Sequence, residues 1–250
     1  MPPGSGPSTP NASQRRSAAR TAVVWEALRS MLSSASAQPP IEVLDIGGGT
    51  GGFAVRVAEL GHRVTVVDPS PDALAILDRR SEETGVADRV TGVQGDLATV
   101  AELVDSESVD VVLCHGVLEV VDDPAAATGA IATVLRPGGR LSLLVSQRHA
   151  AVVARAMAGH FGQARELLDD RSEVPPHRFT VEETTGLLRA AGFTDVTLHA
   201  VRVFSDLVSS SLVDLEPSAP AALAELEQAV SERPEYLTLA TQIHALATRH

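Results

Sequence analysis

Apolar residues at helical spacing mark the first predicted element of the chain. Between residues 20 and 38 they recur every three or four positions, which predicts an amphipathic N-terminal helix that caps the core. Its apolar face holds Val24, Trp25, Leu28, Met31 and Leu32. Residues 1–19 lack this period and are rich in Pro, Ser, Gly and Ala, so we expect a disordered tail there.

Short, mostly apolar runs then alternate with helical segments. Strands without polar alternation are buried on both faces, and helices between them predict a doubly wound α/β fold. The first five predicted strands are Val43–Ile46, Val64–Val67, Val90–Val93, Val109–Leu113 and RLSLLVS. Two further strands, DVTLHAVRVF and IHALATR, complete a mostly parallel seven-stranded sheet, with the last strand expected to close its edge. The predicted domain of residues 20–250 also contains a small helical cap.

The cap is predicted from a change of pattern after the fifth strand. Residues 150–170 have helical character and SEVPPHRF is a loop, so residues 148–180 form a cap insertion beside the N-terminal helix. Thr180 then has the position of an N-cap for the helix TVEETTGLLRAAGF.

A glycine-rich turn follows the first strand and is the strongest chemical signal in the sequence. In VLDIGGGTGG, Gly47, Gly49 and Gly52 fit the dinucleotide pattern G-x-G-x-x-G. Asp45, Gly47, Gly49 and Gly51 equally fit the pattern D-x-G-x-G-x-G of enzymes that use S-adenosylmethionine (SAM). The turn by itself leaves both cofactors open.

Acidic residues near the turn favour SAM over a dinucleotide. Asp45 suits the positively charged sulfonium and ammonium groups of SAM and would repel a pyrophosphate. Asp68, at the end of the second strand, suits ribose hydroxyls in either cofactor. Asp96, in QGDL after the third strand, suits the adenine amino group. The order of the strands also matches the SAM fold better than two mononucleotide-binding halves.

Composition narrows the class of partner. The net charge is −12, and all 20 basic residues are arginines, so lysine-based chemistry is excluded. An acidic chain lacks the global field that attracts nucleic acid, although a local basic patch stays open. A single cysteine, Cys114, suits the reducing cytoplasm, and no apolar run approaches the roughly 18 residues of a membrane span. The scattered histidines, including His149, His160 and His177, form no convincing metal-ligand set.

The quoted motifs resemble a known family. The chain resembles class I SAM-dependent methyltransferases in two stretches, LDIGGGTGG…GHRVTVVDPS and VLCHGVLEVVDDP…VLRPGGRLSLLV. More narrowly, CHGVLEVVDDP, VRVFSDLV and LAELEQAVSERPEYLTLATQIHALA, with Arg20 and Trp25 of the first helix, resemble bacterial tRNA 5-carboxymethoxyuridine methyltransferases. The resemblance spans about residue 20 to the end.

This resemblance implies an activity and a set of roles. The family transfers a methyl group to the carboxylate of a modified wobble uridine in tRNA, forming an ester. It implies that His115 lies near the transferred methyl group and that Arg20 reaches the SAM carboxylate. The remaining implied cofactor contacts are Asp45, Gly47, Gly49 and Gly51 for the methionine portion, Asp68 for the ribose, and Asp96 with Leu97 for the adenine.

The acceptor stays open on sequence alone. An arginine is expected to bind the acceptor carboxylate in a bidentate manner, and Arg148, Arg178 and Arg202 are the candidates. The lysine-rich stretch of the family is missing, because residues 148–178 have five arginines against four acids and residues 205–236 have seven acids against one arginine. A small-molecule acid, phenol or amine is therefore the second hypothesis. A SAM-binding regulator without catalysis and an NAD-dependent enzyme are the less favoured rivals, and the oligomeric state is left open.

Overall fold

One sheet of seven strands organises the chain. The computed structural model describes residues 12–35, 40–168, 175–209, 213, 216 and 218–250. The strands are β1 (Glu42–Ile46), β2 (Arg63–Asp68), β3 (Val90–Gln94), β4 (Val109–His115), β5 (Leu135–Ser146), β6 (Phe193–Val201) and β7 (Gln242–Arg249). Their order is β3-β2-β1-β4-β5-β7-β6, and all strands run in the same direction except β7. The predicted doubly wound, mostly parallel seven-stranded α/β fold is confirmed.

The position of β7 corrects the sequence prediction. IHALATR was expected to close the edge of the sheet, but β7 lies between β5 and β6, and β6 is the edge strand. The burial of the two strands explains this order. β7 is mostly buried along its length, as an inner strand requires, whereas β6 exposes several side chains in its first half.

Helices cover both faces of the sheet. In the described residues they are α1 (Ala12–Ala35), α2 (Ala54–Glu59), α3 (Pro71–Thr84), α4 (Val100–Leu103), α5 (Pro124–Val134), α6 (Arg148–Met157), α7 (Phe161–Leu168), α8 (Val181–Ala190), α9 (Ala219–Val230) and α10 (Pro234–Leu237). Helices α1, α2 and α3 pack on one face, and α4, α5 and α8 pack on the other. The core is therefore two apolar layers with the sheet between them.

Helix α1 is longer than the sequence predicts, whereas the start of α8 is as predicted. Helix α1 begins at Ala12, eight residues before the predicted start, because residues 12–19 contain neither glycine nor proline to interrupt a helix. The rest of the predicted tail, residues 1–11, lies outside the described residues. Thr180 is confirmed as the N-cap of α8, where it forms a reciprocal capping box with Glu183. The predicted helical segment 150–170 is two helices, α6 and α7, with Gly159 in the turn between them.

Candidate functional site

The glycine turn lies at the carboxyl edge of the sheet, where parallel α/β proteins bind ligands. The Gly47 N–H donates to the carbonyl oxygen of Val67 (2.7 Å), which ties the turn to β2. Gly47 has a φ of +67°, and a Cβ there would lie 2.5 Å from Cγ2 of Val117. Only glycine fits this position without strain.

Asp45 is buried directly beneath the turn and is 3% exposed. A Cβ on Gly48 would lie 2.5 Å from Asp45 Oδ2, so the carboxyl group packs against the backbone of the turn. Burial, and then the nearby charge of Asp68, raise the pKa of Asp45 to about 7. The carboxyl group is thus poised between its neutral and charged forms near neutral pH. Gly48 was not among the predicted site residues, although it stands in the quoted motif.

Asp68 joins the turn to the start of α3. The Gly49 N–H donates to Asp68 Oδ2 (2.9 Å), and the Ser70 N–H donates to Oδ1 (2.9 Å). Each carboxylate oxygen has a second lone pair, so Asp68 retains the capacity to accept further hydrogen bonds. The structure brings Asp45 and Asp68 together with the turn glycines.

Asp96 and Leu97 lie further along the same edge, after β3. Asp96 is exposed, and its Oδ1 accepts hydrogen bonds from the backbone N–H and the hydroxyl of Thr99 (both 3.0 Å). Leu97 is buried in the core beneath it. The described hydrogen bonds of the Asp96 carboxylate all use Oδ1, so Oδ2 is the oxygen available to a ligand.

His115 is the last residue of β4, and its ring contacts Ser142 of β5 and Phe53. Its Nε2 lies 2.9 Å from the Ser142 hydroxyl, and its ring meets the Phe53 ring edge-on at 4.8 Å. Its Nδ1 is buried without a hydrogen-bond partner in the described part of the chain. Burial lowers the pKa of His115 to about 4, so the ring is neutral at pH 7.

Helix α1 closes over His115 and the turn. Val23 and Val24 pack in one cluster with Phe53, and the Trp25 ring lies 6.4 Å from the Phe53 ring. Arg20 lies on the same helix, one turn before Val24, and its side chain is outside the described residues. The predicted contact between Arg20 and the cofactor therefore stays a prediction.

The three predicted substrate arginines have different surroundings. Arg148 is 8% exposed and donates to Glu183 Oε2 (2.9 Å) and to the Arg178 carbonyl oxygen (3.0 Å). Arg202, just after β6, forms an ion pair with Asp206 at 2.6 Å. Arg178 is half-buried, and no carboxylate lies within 4 Å of its guanidinium in the described ranges.

Arg178 separates two adjoining cavities at this edge. The larger, of about 800 Å³, lies between the start of α5, residues 177–179 and α8, and it also contains Arg148. The smaller, of about 350 Å³, is lined by both Arg178 and Arg155. Arg165 is exposed on α7. A stripe of arginines on one face would favour RNA, and four of them, Arg148, Arg155, Arg165 and Arg178, lie in or beside one region. The side chains of Arg15, Arg16 and Arg20, which would complete such a stripe, are outside the described residues.

Two buried carboxyl groups that sequence reasoning missed hold this edge together. Glu119 Oε1 accepts from the Ser146 N–H (2.8 Å), and the Glu119 carbonyl oxygen accepts from the His177 N–H (2.8 Å). Burial is the main cause that raises the pKa of Glu119. Glu227 of α9 accepts from the backbone N–H groups of residues 203–205 and from the Ser205 hydroxyl at 2.6–3.0 Å. The available signals were a glutamate within the apolar run VLEVV for Glu119, and a glutamate in an otherwise apolar helical face for Glu227.

The described residues show neither a membrane-spanning helix nor a metal centre. No helix among them is long and apolar enough to cross a membrane. They also contain no group of three or more His, Cys, Asp or Glu side chains placed to hold a metal ion.

Comparison with known proteins places this geometry in context. Residues 44–143 match the family model of the methyltransferase domain. The chain is 30% identical over 233 residues to the tRNA 5-carboxymethoxyuridine methyltransferase of Escherichia coli strain K12, covering 92% of this chain and 88% of that protein. It is 40% identical over 119 residues to the ubiquinone biosynthesis O-methyltransferase of Xanthomonas axonopodis pv. citri, covering 47% and 48%.

A solved structure shares the fold. The geranyl diphosphate C-methyltransferase of Streptomyces coelicolor A3(2), in complex with Mg²⁺, geranyl diphosphate and S-adenosylhomocysteine, superposes with a TM-score of 0.58 at 17% identity. The match covers 90% of this chain and 78% of that one.

Proposed function

The chain belongs to the SAM-dependent methyltransferases, and from this premise we propose that it methylates the carboxylate of a modified wobble uridine in tRNA, forming a methyl ester. The observation that carries the proposal is the similarity to the Escherichia coli tRNA methyltransferase, which extends over 92% of the chain and therefore well beyond residues 44–143, which match the methyltransferase domain model. A likeness confined to the cofactor-binding core would carry no such inference.

The residues at the carboxyl edge fit SAM. When bound, SAM supplies an electrophilic methyl group on a positively charged sulfur. Asp45 offers a carboxylate to a cation, the turn glycines permit close approach of the backbone, and Asp68 retains lone pairs for ribose hydroxyls. The buried Nδ1 of His115 lacks a partner within the described ranges, as expected of an atom that meets a ligand. We assign the adenine edge to Asp96 and Leu97.

A carboxylate acceptor explains why the site needs no general base. Such an acceptor is already an anion at pH 7, so the protein has to align it and exclude water from it. His115, whose pKa is about 4, is neutral and contributes shape and one hydrogen-bonding atom. We therefore assign His115 a positioning role beside the reacting groups.

Arg178 is the best-placed cation for the acceptor. Arg148 and Arg202 are already paired with Glu183 and Asp206, whereas Arg178 lines both cavities without such a pair in the part of the chain described. A guanidinium binds a carboxylate or a phosphate through two parallel hydrogen bonds. Arg155 lines the smaller cavity together with Arg178 and Glu166, and we assign these two arginines to the RNA backbone.

The test is methyl transfer from radiolabelled SAM to bulk tRNA from a strain that lacks this gene. Label on one uridine derivative that is sensitive to ribonuclease and released by mild base would establish an ester on tRNA. Tight SAM binding without any label in tRNA would refute the tRNA acceptor.

Substitution of Arg178 tests how the acceptor binds. R178A is expected to raise KM for tRNA by roughly 10- to 100-fold, the value of one charge-assisted hydrogen-bonding group, with Kd for SAM unchanged. R178K retains the charge and should recover part of the loss. R63A is the matched control, because Arg63 is an exposed arginine at the opposite edge of the sheet. Equal KM values for R178A and R63A would refute the assignment.

A small-molecule acceptor is the second candidate. Two observations favour it: the net charge of −12, and the 40% identity over 119 residues to a ubiquinone biosynthesis O-methyltransferase. That similarity covers only 47% of the chain, which is why we rank it second. A tRNA acceptor would place the enzyme in the cytoplasm, and the two hypotheses separate in the labelling experiment above.

A further inference from the structure

A row of buried polar side chains crosses the sheet beneath α1. In the strand register, His115 on β4 is opposite Leu144, Leu144 is opposite His244 on β7, and His244 is opposite His199 on β6. Ser142 lies two residues before Leu144 on β5 and therefore on the same face. The three histidines are 84 and 45 residues apart along the chain, so only the folded sheet brings them together.

One hydroxyl group joins two of the imidazole rings. Ser142 Oγ lies 2.9 Å from His115 Nε2 and 2.8 Å from His244 Nε2. Ser142 and His244 are both 0% exposed. Water therefore does not compete for these bonds, and each hydrogen atom must find its acceptor within the group.

The hydrogen count restricts the tautomers. If both rings carried hydrogen on Nε2, the Ser142 hydroxyl would have no acceptor among the bonds described for it. If both carried it on Nδ1, two lone pairs would face one hydroxyl that can donate to only one of them. The contacts at Ser142 are satisfied when one ring donates to Ser142 Oγ and Ser142 donates to the other ring, while the Nδ1 atoms of both rings are buried without a partner in the described residues.

We propose that Ser142 and His244 are positioning residues, which hold His115 and His244 in opposite tautomers and so fix whether His115 presents an N–H or a lone pair at Nδ1. That Nδ1 is the buried, unpartnered atom we assigned to the reaction site. The link to methyl transfer rests on the proposed function, whereas the tautomer pairing rests on the contacts alone.

The surroundings keep the pair neutral and isolated. Burial lowers the pKa of both rings, so neither becomes an imidazolium near pH 7. Phe53 packs against His115, and His199 stacks on His244 at 5.2 Å between ring centres. The described contacts of His199 include no hydrogen bond to the His244 ring, so the hydrogen-bonded side chains end at His244. Glu232, 3.9 Å from His199, is outside them.

The decisive measurement is the tautomer of each ring, read from two-bond ¹H–¹⁵N correlation spectra of the free protein labelled with ¹⁵N-histidine. H115N and H244N assign the two signals. The expected result is one Nε2–H ring and one Nδ1–H ring in the wild-type protein. In S142A at least one ring should change or mix its tautomers, and S142T should restore the pair because it retains a hydroxyl.

The control is S81A, since Ser81 is an equally buried serine on α3, outside the network. It should leave both tautomers unchanged. The same tautomer in both rings, or identical spectra for S142A and wild type, would overturn the proposal. With active enzyme, S142A should lower kcat on the order of tenfold, the effect of one buried hydrogen bond, and S142T should recover it. If no acceptor is methylated, the proposed function fails, but the spectra still decide this inference.

Discussion

Replacement of Asp45 by asparagine tests whether the glycine turn encloses a carboxyl group whose pKa is raised by burial. The side chain is 3% exposed, and burial with the charge of Asp68 raises its pKa from 3.8 to about 7. An acid with a raised pKa binds its proton more tightly in the folded state. Its stabilising contribution is therefore present at low pH and is lost as pH rises from about 3.8 through 7.

The magnitude follows from the size of that shift. About 3 units of pKa at 1.36 kcal/mol each correspond to roughly 4 kcal/mol between the fully protonated and fully ionised limits. Between pH 5 and pH 8 the free energy of unfolding of the wild type should decrease by about 2.5 kcal/mol relative to D45N. Most of this decrease should occur below pH 7.

Urea unfolding of the cofactor-free protein at pH 5 and pH 8 measures this difference. Titration with SAM gives a second readout of opposite sign, because a positively charged ligand favours the ionised carboxyl group. Wild-type SAM affinity should therefore increase from pH 5 to pH 8, by up to about 100-fold, while the affinity of D45N stays nearly constant. D88N removes an exposed carboxylate beyond the opposite end of β3 and controls for the change in net charge.

The reasoning is refuted by parallel profiles. If wild type and D45N lose stability equally between pH 5 and pH 8, the carboxyl group of Asp45 is not held in its protonated form by burial. If their SAM affinities also change in parallel, Asp45 does not face the positive charge of the cofactor, and its assignment to the methionine portion is wrong.

Three further substitutions have defined outcomes. G48A places a methyl group 2.5 Å from Asp45 Oδ2 and should abolish measurable SAM binding by calorimetry, and near-wild-type affinity would contradict the close packing of the turn. E227Q weakens the acceptor for three backbone N–H groups and should lower the free energy of unfolding by about 2 kcal/mol in urea, whereas Q228E next to it should change little. T180A removes the cap of α8 and should cost about 1 kcal/mol in the same assay, with T180S close to wild type. Wild-type stability in either Glu227 or Thr180 variant would contradict its role.

The order of strands along the chain was predictable because each buried strand carries a distinct apolar run. The glycine turn was equally predictable, since five glycines in six positions directly after a buried strand are seldom explained by tight packing alone. The place of β7 was not, because an apolar run reveals burial but not which neighbours the strand pairs with. Only the register with β5 and β6 shows that the last strand is internal.

The network around His115 was outside the reach of the sequence for the same reason. Ser142 and His244 contact His115 through pairing across β4, β5 and β7, and no spacing along the chain encodes that. The substrate arginines show a related limit. Sequence shows that Arg148 and Arg202 are cations but not that Glu183 and Asp206 already engage them.

The charge of the chain bears on its acceptor only after each acid has been placed in the fold. The count of seven acids against one arginine in residues 205–236 suggested a negatively charged surface that would repel RNA. Glu227, one of those acids, is 2% exposed and binds backbone N–H groups, and Asp206, another, pairs with Arg202. On the other side of the carboxyl edge, residues 148–168 carry Arg155 and Arg165 near the surface against Glu166, while Arg148 is buried and paired with Glu183. A polyanion responds to the local surface within a Debye length of about 10 Å and much less to the total charge. The net charge of −12 therefore does not by itself decide between the two acceptors, and the question depends on Arg178 and on the acids that share its cavity, Asp122 and Asp123.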